Sequence, residues 1–112
     1  MNFEIEDHAD NTVVEILAGR LDASIAPELK TLVTELVAQD KRRILLDFDK
    51  VVFMDSSGLG AVVSGLKAVG EDGEFIVCNL RGVVEELFKL THMDRVFEIT
   101  DSRDDGLQQL AA

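Results

Sequence analysis

The run Ile44-Leu45-Leu46-Asp47-Phe48 is apolar at every position but one. A strand with one face in water alternates apolar and polar residues, whereas a covered strand of a parallel sheet reads as a nearly continuous apolar run. This segment therefore predicts a central parallel strand with a covered face. Parallel neighbours need crossover connections, and the chain offers them on both sides. Upstream, Ala26, Leu29, Leu32, Val33, Leu36 and Val37 recur at helical spacing and form one apolar stripe. Pro27 is compatible with that helix because it falls in the first turn. Downstream, a second helix is predicted from about Ser57 to Val69, ending at Gly70, and the turn Glu71-Asp72-Gly73 leads to a strand at Phe75–Cys78.

A third helix covers about Val83 to Leu90, with Val84, Leu87 and Phe88 inward and Glu85/Lys89 as an i,i+4 pair. Arg95 to Ile99 reads as a short last strand. Ser102 and Asp105 have capping-box spacing for a final helix through Leu110. At the other end, Phe3 to Glu6 alternates apolar and polar residues, Asp10-Asn11 marks a turn, and Thr12 to Leu17 forms the second arm of a hairpin. The order predicts an α/β fold: one domain over residues 1–112, with a small, mixed, mostly parallel sheet and an N-terminal antiparallel hairpin.

Charge and composition narrow the function classes. A formal net charge of −11 argues against binding a nucleic-acid backbone, and favours a partner with a basic face. Lys41-Arg42-Arg43, the one basic cluster, fits a solvated helix end before a strand. There is no signal-peptide pattern and no apolar run long enough to span a bilayer, so membrane insertion is not expected and a cytoplasmic location is. Cys78, the lone cysteine, ends an apolar strand and reads as a buried, inert thiol.

The chemistry-bearing stretch is Phe53-Met54-Asp55-Ser56-Ser57-Gly58-Leu59-Gly60, where strand and loop give way to the second helix. A helix start leaves N–H groups unpaired and carries partial positive charge, so a serine there can cap it and a phosphate on that serine is locally favoured. Catalytic readings fail on missing parts. A nucleophile elbow wants glycine two places either side of the serine, and Met54 stands at one of those places. The only histidines are His8, near the first turn, and His92, after the third helix. Gly58-Leu59-Gly60 followed by Val63 lacks the third glycine of a dinucleotide fingerprint, and no Gly-Lys-Ser/Thr occurs. No carboxylate pairs with His or Cys at metal-ligand spacing. The expectation is a protein without catalytic residues, metal or cofactor.

The second helix also carries a stripe of small residues, Gly58, Ala61, Gly65 and Ala68, beside its core stripe Leu59, Val62, Val63, Leu66 and Val69. Small residues let a helix lie close to a sheet, and they also make a smooth face on which a partner can dock. Both readings stay open at this point.

With these motifs the chain resembles the STAS domain, and within it the stand-alone bacterial anti-sigma factor antagonists. The resemblance covers essentially the whole chain. It rests on Gly19-Arg20-Leu21-Asp22, Leu45-Leu46-Asp47-Phe48, the Asp55-Ser56-Ser57-Gly58-Leu59-Gly60 loop, Phe75-Ile76-Val77-Cys78 and the segment Val84 to Leu90. It implies about four helices packed mainly on one face of the sheet. It also implies partner switching. The unphosphorylated protein binds an anti-sigma factor that is a serine kinase of the histidine-kinase-like ATPase type and frees the sigma factor. Phosphorylation at Ser56 ends that binding, and a metal-dependent serine phosphatase resets it. Partner contacts are expected from Asp22, Asp55, Ser57, Gly58, Leu59 and Gly60, in a monomer that forms hetero-complexes. Asp55 and Asp22 either add repulsion or orient the hydroxyl, and Ser57 serves as N-cap or first-turn residue.

The alternative within the same family is an accessory or scaffold subunit of a lipid-transport ATPase or a signalling assembly. One departure from the family pattern is Arg81-Gly82, where a Ser-Pro-like start to the third helix is expected. Arg81 offers no capping oxygen, which predicts a frayed helix start.

Overall fold

The computed structural model describes residues 2–111. The hairpin consists of β1 (Asn2–Asp7) and β2 (Thr12–Leu21), and the His8 N–H donates to the Thr12 carbonyl across its turn at 2.8 Å. Then follow α1 (Ala26–Ala38), β3 (Arg43–Met54), α2 (Ser56–Val69), β4 (Glu74–Cys78), α3 (Gly82–Leu90), a 3-10 turn at Met93–Arg95, β5 (Glu98–Thr100) and α4 (Arg103–Ala111). The sheet runs β1-β2-β3-β4-β5, and every pairing after the hairpin is parallel. Fold class and element order match the expectation.

Two strands outlast their apolar runs. β2 continues past Leu17 to Leu21, and β3 past Phe48 to Met54, because the two keep pairing with each other after β4 has ended. The register slips between Ile16 and Ala18 and again between Gly19 and Arg20, where Gly19 has φ 99°. Polar Asp49-Lys50 interrupts the hydrophobic pattern at the first slip, and pairing resumes at Ala18 and Lys50. The short last strand is displaced for the opposite reason. The Phe97 N–H donates to the Met93 carbonyl at 3.0 Å, so this segment turns before it extends.

Alternation along the strands sorts the core. Val13, Leu17, Ile44, Leu46, Phe48 and Val77 face α1, α2 and α3, while Val14, Ile16, Leu45, Ile76 and Cys78 face Leu110 of α4. Three helices thus cover one face and one covers the other, and Ile44–Phe48 of β3 is buried between them. On the larger face Phe88 of α3 stands edge-on to Phe48, with ring centroids 6.1 Å apart. Cys78 lies beneath α4, and burial pushes its thiol up to about 12, so it stays protonated at neutral pH.

α4 is clamped by charge. The Arg103 guanidinium donates to both Glu6 oxygens at 3.1 Å and to Asp47 Oδ2 at 3.2 Å. Asp47, the polar break in the apolar run, also accepts from Asn79 Nδ2 at 2.9 Å and from the Asp49 N–H at 3.0 Å. Burial pushes its carboxyl up, but the Asn79, Asp49 and Arg103 hydrogen bonds outweigh that and hold it below the usual range. Ser102 Oγ accepts from the Asp105 N–H at 3.1 Å, as the capping spacing predicts. α3 starts at Gly82 without a side-chain cap. Its start is not loose, however: Arg81 pairs with Asp49 and donates to Asn79 Oδ1 at 3.2 Å, so the residue that cannot cap ties the helix to β3 instead.

Glu15 is the exception to this order. It lies between Val13 and Leu17 on the three-helix face with 0% exposure, and among the described residues neither carboxylate oxygen has a partner. Burial raises its carboxyl from the usual 4.5 to about 8. The folded chain therefore holds a proton between those values that the unfolded chain releases, so this residue's contribution to stability falls as pH rises from 4.5 to about 8. At 1.36 kcal/mol per unit the loss reaches about 3 kcal/mol near pH 7. Glu15→Gln is expected to be more stable than the native chain at pH 8 by at least about 2 kcal/mol, and nearly equal to it at pH 5. Urea unfolding at the two pH values measures the difference, and an equal offset at both contradicts it.

Candidate functional site

The ends of β2 and β3 place the site. Leu21 pairs with Met54, so the residues that follow them, Asp22 and Asp55, emerge side by side at the same end of the sheet. The Asp55 N–H donates to the Leu21 carbonyl at 3.3 Å, which seats the start of α2 on the end of β2. Gly58 makes that seat possible. A Cβ at this position would fall 2.1 Å from the Leu21 carbonyl oxygen, so no other residue fits without moving the helix.

Asp55 supplies the cap. Its backbone is extended (φ −109°, ψ −174°), its Oδ1 accepts from the Gly58 N–H at 3.0 Å, and its carbonyl accepts from the Leu59 N–H at 3.0 Å. Of the two roles expected for Ser57, N-cap or first-turn residue, the structure shows the second, and the cap falls to Asp55. Helix geometry decides it, because the cap must reach an amide three residues on, and α2 already begins at Ser56. Ser56 and Ser57 are the first two helical residues, both exposed. Their amides, like all those of a first turn, have no intrahelical acceptor.

Asp22 has a different task. Its Oδ1 accepts from Ser24 Oγ at 2.6 Å and from the Ser24 N–H at 3.1 Å, and its carbonyl accepts from the Ala26 N–H at 2.8 Å. The Ser24 hydroxyl and amide hold its carboxyl below the usual range. It shapes the entry to α1 beside the serine loop. One residue here escaped sequence reading: Arg20 lies over the Phe53 ring at 4.1 Å and 3.9 Å from Asp22. Arg20 and Phe53 are strand partners, a pairing visible only once the slipped register is known.

Along α2, Gly58, Leu59, Ala61, Val62, Gly65 and Val69 are buried, whereas Ser56, Gly60 and Lys67 are exposed and Val63 and Ser64 half-buried. A Cβ on Gly65 would meet the Phe75 ring at 2.9 Å. Close packing thus accounts for Gly58, Ala61 and Gly65, while Ala68 is exposed. Ser56, Gly60, Ser64 and Lys67 recur at helical spacing on the outward side. Of the residues singled out by sequence, Asp22, Asp55, Ser56, Ser57 and Gly60 meet at this surface, and Gly58 and Leu59 hold it from beneath. His8 is not among them. It sits in the β1–β2 turn, at the opposite end of β2, 3.4 Å from Glu6.

The sequence model of the STAS domain matches residues 2–106. The chain belongs to the STAS family. Among its relatives, the anti-sigma-B factor antagonist of Staphylococcus aureus is 28% identical over 106 residues, covering 93% of this chain and 98% of its own. An anti-sigma factor antagonist from Mycobacterium paratuberculosis superposes with a TM-score of 0.89 at 27% identity, covering 99% of this chain and 94% of that one. SpoIIAA of Bacillus, solved in its phosphorylated form, shares the fold with a TM-score of 0.76 at 22% identity, over 97% and 99% of the two chains. Among the described residues of this STAS domain, no helix is long and apolar enough to cross a membrane, and no three His, Cys, Asp or Glu side chains gather as a metal site.

The geometry gives the cap to Asp55 and leaves Ser56 without a structural hydrogen bond among the described residues. Asp55→Ala is expected to cost about 1 kcal/mol, while Asp55→Asn, which still caps, and Ser56→Ala stay within about 0.5 kcal/mol of the native chain. Denaturant unfolding of the three variants checks this. A large loss in Ser56→Ala alone is the contrary result.

Proposed function

We propose that this STAS domain is an anti-sigma factor antagonist whose binding is switched by phosphorylation of Ser56. The observation that carries the proposal is the position of Ser56: exposed, first in α2, and relieved of capping by Asp55. The names of the Staphylococcus and Mycobacterium relatives support the class of function. The partner is an anti-sigma factor that is also a serine kinase of the histidine-kinase-like ATPase type, and a metal-dependent serine phosphatase reverses the modification. Both enzymes bring their own active sites, so this chain needs to supply only the hydroxyl and the surface around it.

The physics of the switch follows from the loop. A phosphate adds about −1.5 to −2 charges at neutral pH. At the start of α2 it meets the free amides of Ser56 and Ser57 and the positive end of the helix, so the fold tolerates it. It also stands next to the Asp55 carboxylate, on a chain of net charge −11. Toward a partner the outcome reverses. An interface that closes over the Ser56 hydroxyl must desolvate the dianion, and without a basic group facing it that is strongly unfavourable. Asp22 and Asp55 keep the rim acidic, and Gly60 and Ser64 leave room for a partner to approach along α2.

Ser56→Ala is expected to bind the cognate kinase whether or not ATP is supplied, and Ser56→Asp to bind at least about tenfold more weakly. Calorimetry with the purified kinase from the source organism measures both affinities. Equal binding by the two variants refutes the switch.

A further inference from the structure

We propose that the groove between β1 and α1 receives a basic, extended segment of a partner protein, which joins the outer edge of β1 as an added strand. β1 is the terminal strand of the sheet, so one row of its backbone N–H and C=O groups has no strand beside it. Along that edge runs an open groove of about 410 Å³. Its apolar lining comes from Phe3 and Ile5 of β1 and from Pro27 and Leu32 of α1. Ile5 is 38% exposed, a large apolar side chain at the edge of the sheet.

The charge around the groove selects the occupant. Glu28 and Glu35 line it from α1, one on either side of Leu32 along the helix. Glu4 lies on the opposite face of β1, since it pairs with Ile16 while Ile5 pairs with Glu15. Among the described residues none of Glu4, Glu28 and Glu35 enters an ion pair. A strand alternating apolar residues with Lys or Arg matches this pattern. Its apolar side chains enter the groove, its cations meet Glu4 on the other face, and the acids of α1 attract it.

A second copy of this chain is the wrong occupant. β1 carries Glu4, Glu6 and Asp7 and no basic residue, so pairing two copies edge to edge sets like charges opposite one another. The site is separate from Ser56 and does not rest on the proposed switch.

Amide shifts of the isotope-labelled chain test the proposal. The probe is a synthetic peptide alternating lysine and valine, about seven residues long to match a strand of this size. Saturable shifts confined to β1 and the groove side of α1 are expected, with none from a same-charge peptide that has serine for valine, nor from one with glutamate for lysine. The exposed triple variant Glu4→Lys, Glu28→Lys, Glu35→Lys should keep its circular dichroism and bind the probe at least about tenfold more weakly. Equal shifts from the serine peptide, or shifts spread over the acidic surface, overturn the proposal. So does sedimentation showing a dimer of the free chain with protected β1 amides.

Discussion

The seat of α2 on the end of β2 is the contact on which the rest of the site depends. It consists of one hydrogen bond, from the Asp55 N–H to the Leu21 carbonyl, and one missing side chain, at Gly58. Together they set where α2 starts, which amides are left open and which hydroxyl faces outward. They also explain why β2 and β3 continue as a two-stranded ribbon beyond β4. Without the residues from Ala18 to Leu21 there would be no carbonyl for the helix start to rest on. The Arg20 guanidinium over Phe53 covers part of that ribbon where no helix does.

Covalent pattern and hydrophobic period carried most of the architecture. The run Ile44–Phe48, apolar but for Asp47, placed β3 at the centre, and the stripe from Ala26 to Val37 placed α1, because each period has only one matching backbone geometry. What escaped was whatever depends on pairing between distant segments. The extensions of β2 and β3 have no hydrophobic signature of their own. Arg103 carries no local signal, yet it joins Glu6 and Asp47 across 97 and 56 positions of sequence. Glu15 sits in a strand whose neighbours are apolar, and nothing local says that its carboxyl points into the larger core. Within the serine loop, sequence pattern located the helix start to within one residue. That single residue was enough to move the capping role from serine to Asp55.

The two faces of the sheet deal with buried polarity in contrasting ways. Beneath α4, Asp47 is fully engaged by Arg103, Asn79 and the Asp49 amide, so its charge is retained at little cost and fixes the position of the helix. Beneath α1, Glu15 has no such neighbours and keeps its proton. An ionised carboxyl there would have to find a cation or open the core. The α2 side is tied down by backbone hydrogen bonds and by glycine contacts with no slack.

That asymmetry bears on how a phosphate at Ser56 would act. A modification can work by moving the fold or by changing what the surface accepts. Moving α2 would require breaking the Leu21–Asp55 bond and lifting Gly58 from its carbonyl, against which a phosphate would bring only its repulsion from the Asp55 carboxylate. At a helix start its charge is drawn toward the very amides that hold the geometry. The phosphate energy is thus spent at the surface, on a patch where Gly60 contributes no side chain and Asp55 already sets the sign of the charge. With the helix start held by Asp55 and Gly58, a phosphate on the exposed Ser56 would act locally, on what the surface accepts rather than on the structure presenting it.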